Sequence, residues 1–244
     1  MHQKRLLRFH DIFLFKNWNY LPILFLGGSH DKLMIMTGPN ACGKSVYLKQ
    51  IGLIVFLAHL GSWVPASFAQ IPVIDAMFSR IQTVDSVSLG LSAFTVDLDQ
   101  VSTALNHATE KSLVLLDEFG KGTCDVDGQA LLASALEFWL AKGPQNCPYL
   151  VVSTHFHSVK TLLSAYDDYV SYMTFEVQHE EDSGELIYLY QIKPGTVTHS
   201  EANQVAKKAG IDPKILQRSQ HILKVEGNFL WGTILGSFWT LGPY

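Results

Sequence analysis

From Lys32 onward, short apolar runs alternate with longer segments whose apolar residues recur at helical spacing. "KLMIMTG" is such a run, ending in a glycine turn, and "KSVYLKQIGLIVFLAHLG" behind it predicts a helix that lasts until Gly61. "VDLDQVSTALNHATE" sets Val96, Leu98, Val101 and Leu105 at roughly helical spacing, and "SLVLLDEFG" predicts a fully buried strand that stops at two acids. A second long helix, "VDGQALLASALEFWLAKG", is expected to end at Gly143, and "CPYLVVSTHF" predicts a third buried strand. Strands alternating with helices predict an α/β fold with a mostly parallel sheet, whose ligand site lies at the carboxyl ends of the strands. "YVSYMTFEVQ" and "LIYLYQIKPG" flank the acidic turn "HEEDSGE" and predict an antiparallel β-hairpin. Beyond it, "HSEANQVAKKAGIDPKILQRSQHILKVEG" predicts two short helices around a turn at Gly210 to Pro213.

The ends follow no such pattern. Residues 1–31 have scattered aromatics and a turn at Gly27 and Gly28, and form a poorly defined lead-in. Residues 227–244, "GNFLWGTILGSFWTLGPY", are apolar and glycine-interrupted, too short for a confident membrane span. "YLPILFLGG" near the start is also too short to span a bilayer, so no membrane association is expected. No internal repeat is visible. A chain of 244 residues, 48% hydrophobic and 16% charged, is long enough for one substantial core. Its formal net charge of -4 provides no overall basic field, so any contact with DNA must be local or come from a partner. Cys42, Cys124 and Cys147 contain no CxxC pair and fit free thiols in a reducing compartment.

Gly38 to Ser45 fits G-x-x-x-x-G-K-[ST] between an expected strand and an expected helix. The residues Gly38, Pro39, Asn40, Ala41, Cys42, Gly43, Lys44, Ser45 and Val46 are the expected cofactor-binding set. Backbone N–H groups at the helix start form an anion cradle, Lys44 adds a point charge for the outer phosphates, and Ser45 offers an oxygen to Mg²⁺. A magnesium ion on phosphate keeps few protein ligands, one of them usually a carboxylate, and Asp117 at the end of "LVLLD" supplies it. Glu118 beside it can deprotonate an attacking water. His155 follows the strand "YLVVST" and is expected on the same edge, to touch the terminal phosphate or position water, although a lone histidine is more often structural. No histidine spacing supports another metal site.

These residues together resemble the ATPase domain of the MutS family of DNA mismatch-repair and recombination proteins. "TGPNACGKSVYLKQIG", "FSRIQTVDSVSLGLSAF", "LVLLDEFGKGT", "VDG" and "STHF" occur in the family's order, and the likeness covers about Lys32 to Glu226. It implies a P-loop ABC-type ATPase domain acting as a dimer, with each ATP sandwiched between two subunits. It assigns Glu118 as catalytic base, His155 as switch histidine and Ser92 as the signature serine reaching into the partner's site. Asp127 resembles the loop that couples the two sites, its plainer reading being a helix N-cap. The implied organisation is a lead-in at 1–31, the ATPase domain at 32–195, a C-terminal helical dimerisation segment at 196–226 and an atypical tail at 227–244.

Within the family, "GKSVYLKQIG", "SLGLSAF" and "DEFGKGT" resemble the meiotic homologue numbered five. That likeness implies a heterodimer with the meiotic homologue numbered four, and a nuclear, chromosome-associated role in stabilising crossover intermediates; mismatch repair is the neighbouring possibility. Val46 stands where many members have threonine, and Cys42 where glycine is usual. The family's DNA-reading and clamp domains lie upstream, so DNA contact is expected through domains missing from this chain, which looks like a fragment. Two other readings of the same residues are a catalytically silent interaction module and a P-loop small-molecule kinase, the latter disfavoured because Arg80, Arg218 and the other arginines are spread singly.

Overall fold

The structure, a computed structural model, describes residues 5–8, 24–25, 32–66, 68–81, 93–179, 186–197 and 202–223. In chain order its elements are β1 (Arg5–Arg8), β2 (Leu24–Phe25), β3 (Leu33–Thr37), α1 (Lys44–His59), β4 (Phe68–Ile71), β5 (Met77–Arg80), α2 (Ala93–His107) and β6 (Leu113–Asp117). They continue with α3 (Asp125–Leu140), β7 (Tyr149–Ser153), α4 (Val159–Leu162), β8 (Val170–His179), β9 (Leu186–Pro194) and α5 (Ala202–Lys208). The chain divides into two compact units, one of Met1–Glu176 with Tyr188–Thr198, the other of Val177–Ile187 with His199–Tyr244.

The first unit is organised by a six-stranded sheet in the order β5-β6-β7-β3-β8-β9. Pairing is parallel from β5 through β8. At the far edge, Gly195 N–H donates to Tyr172 O and Lys193 pairs with Glu176, a descending register that makes β9 antiparallel to β8. Side-chain alternation then sorts the core into two layers. Leu33, Ile35, Val114, Leu116, Leu150 and Val152 pack with Val101 of α2 and Leu132, Leu136 and Trp139 of α3. Met36, Leu113, Leu115 and Val151 face the other way, onto Leu48, Ile51, Ile54 and Val55 of α1. The central strands are apolar on both faces because both faces are covered, which is why they read as continuous runs. A smaller sheet, in the order β1-β4-β2, brings two short strands of the lead-in onto β4.

The long helices form where the periodicity places them, and their ends have identifiable causes. Gly61 takes φ 75° just past α1, and Gly143 takes φ 77° just past α3, backbone conformations that glycine adopts without a Cβ penalty. Two pieces escape the pattern: β4 and β5 are four residues each, too short and too interrupted by Pro72 and Asp75 to show a period. In the second unit, α5 and a helix over 213–223 flank Gly210 at φ 82°. Pro213 opens that helix instead of belonging to the turn, with Asp212 accepting from Lys214 N–H at 2.8 Å as its cap.

The layered core gives a direct test. Leu136 is fully buried between α3 and the sheet, and Leu136→Ala is expected to cost about 2–5 kcal/mol. Val126 on the same helix is 69% exposed, and Val126→Ala should stay within about 0.5 kcal/mol. Urea midpoints with unchanged slopes check both; equal effects would mean α3 does not pack as described.

Candidate nucleotide site

Three strand ends meet at one edge of the sheet. Register pairs Met36 of β3 and Asp117 of β6 with Ser153 of β7, so β7 lies between the glycine loop and the acid pair. The loop leaves β3 at Thr37 and turns with Ala41 at φ 65° and Gly43 at φ 106°. Gly43 is the N-cap residue of α1, provides no side-chain cap, and no acidic residue occupies the helix's first turn. The first-turn N–H groups therefore have no intrahelical acceptor and no carboxylate beside them, which leaves a cradle suited to an external anion. A Cβ on Gly43 would lie 3.3 Å from Tyr190 and one on Gly38 would lie 2.9 Å from the Cys42 sulfur, so side chains there would fill the space that the loop encloses.

Lys44 is 4% exposed. Its ammonium donates to Gly38 O at 2.8 Å and Pro39 O at 3.0 Å, and lies 3.7 Å from Glu118 Oε1. Such a buried ammonium, held by carbonyls that an anion can replace, fits phosphate. Next to it opens a cavity of about 660 Å³, lined among others by Asn40, Ser45, Val46, Lys49, Glu118 and an aromatic group of Tyr47, Phe175 and Tyr190. That volume lies within the range of nucleotide-sized sites. Val46, 69% exposed, contributes an apolar wall where a threonine would present a hydroxyl.

Asp117 is 2% exposed, and the Ser153 hydroxyl donates to its Oδ1. Glu118 follows with φ 51°, a left-handed conformation that costs a non-glycine residue energy and turns its carboxylate toward the loop. Its N–H donates to Ser153 O at 2.9 Å and its Oε2 accepts from Lys121 at 2.7 Å. Burial by itself would raise the Glu118 carboxyl, but the hydrogen bond and charge of Lys121, with Lys44 and His155 adding, outweigh it and hold the group below the usual glutamate range. His155 lies just past β7, with its ring 4.1 Å from that of Phe156 and its Nδ1 buried without a hydrogen-bond partner. Burial pushes its imidazole below the ordinary value, Glu118 opposing, so it is mainly neutral at neutral pH.

Of the sequence-derived candidates, Gly38 to Val46, Asp117, Glu118 and His155 come to this edge, while Ser92 lies outside the described residues. Asp127 is not an N-cap: that position belongs to Cys124, whose thiol donates to Asp127 at 3.3 Å within the first turn of α3. The helix start is also packed against the acid loop, since a Cβ on Gly128 would meet Gly120 O at 2.2 Å. Tyr190 was not legible as a site residue, although "LIYLYQI" puts it on the face of Tyr188 and Ile192; it has a φ of 56° and lines the cavity. Arg80 is not a solitary surface arginine but is 6% exposed, with its guanidinium bonded to Asp97 and to the Asp117 carbonyl. Among the described residues no group of three or more His, Cys, Asp or Glu side chains is placed to hold a metal alone, and no helix is long and apolar enough to cross a membrane.

Comparison with known proteins finds relatives over most of the chain. The family model for MutS domain V matches residues 34–225. MutS protein homolog 5 of Caenorhabditis elegans is 46% identical over 193 residues, covering 79% of this chain and 14% of that protein. The DNA mismatch repair protein MutS of Synechococcus sp. (strain CC9902) is 40% identical over 203 residues, covering 83% of this chain and 22% of the relative. The chain thus spans about a seventh to a fifth of these relatives. With a domain V match over most of its length and its glycine loop, acid pair and histidine on one sheet edge, the chain belongs to the MutS family.

Proposed function

We propose that this domain binds ATP with Mg²⁺ and hydrolyses it as one half of a site shared between two MutS subunits. The observation that carries the reading is the meeting of Lys44, on the phosphate loop, with Glu118, beyond the intervening strand β7, at 3.7 Å. A loop that only made a glycine turn would have no reason to aim a buried ammonium at a buried carboxylate across another strand.

Phosphates would replace Gly38 O and Pro39 O as partners of Lys44, and the first-turn N–H groups of α1 would hold their other oxygens. Tyr47, Phe175 and Tyr190 form a wall suited to a flat heterocyclic base. Ser45 and Asp117 would hold Mg²⁺, which when bound neutralises charge on the terminal phosphates. Glu118, ionised by its lysine neighbours, is the base that takes a proton from water. His155, uncharged and half-buried beside it, can orient that water or the terminal phosphate through a ring nitrogen. In this reading Ser92 completes the opposite subunit's site, and Asp127 belongs to the segment that couples the two. Residues 32–195 then constitute the ATPase domain, and the helices within 196–226 grip the partner.

The likeness to MutS protein homolog 5 supports a meiotic role in a heterodimer with the homologue numbered four, chromosome-associated in the nucleus. DNA would be held by regions outside this chain, with ATP binding and hydrolysis switching the state of that grip.

Glu118→Gln keeps the cradle and removes the base. It is expected to slow ATP turnover by about 10²–10⁴-fold with Mg-ATP affinity within about threefold of the parent, measured with and without the partner. Hydrolysis at the parent rate would overturn the assignment of Glu118. The pH dependence of stability offers a second check. Both Glu118 and His155 have folded values below their unfolded ones, so each binds fewer protons when folded and each contribution is lost as pH falls. His155→Gln should flatten the urea-stability profile just below pH 6.5, and Glu118→Gln should flatten it below pH 4.5. Profiles that superimpose on the parent's would contradict the electrostatics of the site.

A further inference from the structure

Arg80 closes β5 and, among the described residues, is a buried arginine that the nucleotide chemistry does not explain. Register sets it opposite Leu116, and from there Nη1 donates to the main-chain O of Asp117 while Nη2 pairs with Oδ2 of Asp97 on α2. The carboxylate of Asp97 is 14% exposed, so this is a nearly dry pair. The peptide unit joining Asp117 to Glu118 is consequently gripped on both sides: its C=O by Arg80, its N–H by Ser153 O at 2.9 Å. Glu118, immediately after it, has the left-handed φ of 51°. A conformation disfavoured in isolation persists only where its surroundings over-determine it, and these two bonds do so at the peptide that aims both acids.

We propose that Arg80 is a positioning residue for the metal acid and the base, and that with Asp97 it forms a clasp holding the Asp117–Glu118 peptide to α2. The inference rests on the nucleotide reading of this edge. Arg80 acts through the main chain: bonded to the Asp117 carbonyl, it sets the direction in which Asp117 presents its carboxylate. The planar fork suits the site because Nη1 and Nη2 diverge in fixed directions toward acceptors on two different elements, whereas a lysine ends in a single point charge without that fixed geometry. Since α2 begins directly after Ser92, a displacement of that helix is transmitted to this chain's own acid pair through the same guanidinium.

The test compares Arg80→Met, Arg80→Lys, Asp97→Asn and Asp97→Glu with the parent full chain. ATP binding is titrated in EDTA, and the Mg²⁺ concentration giving half-maximal nucleotide-dependent thermal stabilisation is then measured. Arg80→Met and Asp97→Asn should raise that concentration about 10-fold or more, as loss of a partner behind a metal ligand does, with metal-free ATP affinity within about threefold. Asp97→Glu, which keeps the charge, should restore much of the Mg²⁺ response. If Arg80→Met fails to fold, Arg80→Lys is the deciding variant and should show the same shift. A parent that responds to Mg²⁺ alongside folded variants with an unchanged requirement overturns the clasp alone. A parent with no Mg²⁺-dependent nucleotide binding overturns the nucleotide reading and the clasp with it.

Discussion

Parallel pairing of β3 and β6 on either side of β7 is the constraint on which the site depends. In a parallel sheet all carboxyl ends face one way, so the residues leaving three strands must share one edge. The glycine loop, Asp117–Glu118 and His155 are separated by tens of residues in sequence, yet the register through Ser153 leaves them no other place to go. Two apolar layers secure that register, with α1 on one face and α2 with α3 on the other. A slip of one residue would exchange the faces of each strand and expose what is now buried.

On that edge the chemistry is a balance of fixed charges. The uncapped start of α1 and the buried Lys44 favour negative charge, while Glu118 is kept ionised by Lys121 and Lys44. Opposite charges hold each other in place until a ligand with its own charge rearranges them, and the loop carbonyls that now accept from Lys44 are the groups most easily exchanged. The positive φ of Glu118 and the close backbone contact of Gly120 with Gly128 place a strained backbone and a tightly packed contact beside the proposed base.

Much of the fold was legible because its central strands are continuous apolar runs, its long helices carry helical spacing, and α1 and α3 stop at glycines with left-handed backbones. The short β4 and β5 were not, since four residues cannot establish a period. In the site, residues contiguous with a motif were readable, from Gly38 to Val46 and at Asp117 and Glu118. Tyr190, Arg80 and Asp97 were not, because their roles come from tertiary placement: a left-handed backbone for Tyr190, and an ion pair between β5 and α2 for the other two. Asp127 shows the converse, a residue whose type suits an N-cap while the cap position falls three residues earlier, at Cys124. The role given to Ser92 rests on family resemblance alone, and that residue lies outside the described residues.

The central claim is that the first-turn N–H groups of α1 bind the phosphates of a nucleotide. Amide hydrogen exchange at Gly43, Lys44, Ser45 and Val46, followed with and without excess Mg-ATP, tests it most directly. Exchange at these amides is expected to slow markedly when Mg-ATP is added, with helix α3 as an unchanged internal reference. Exchange there that is indifferent to nucleotide would contradict it.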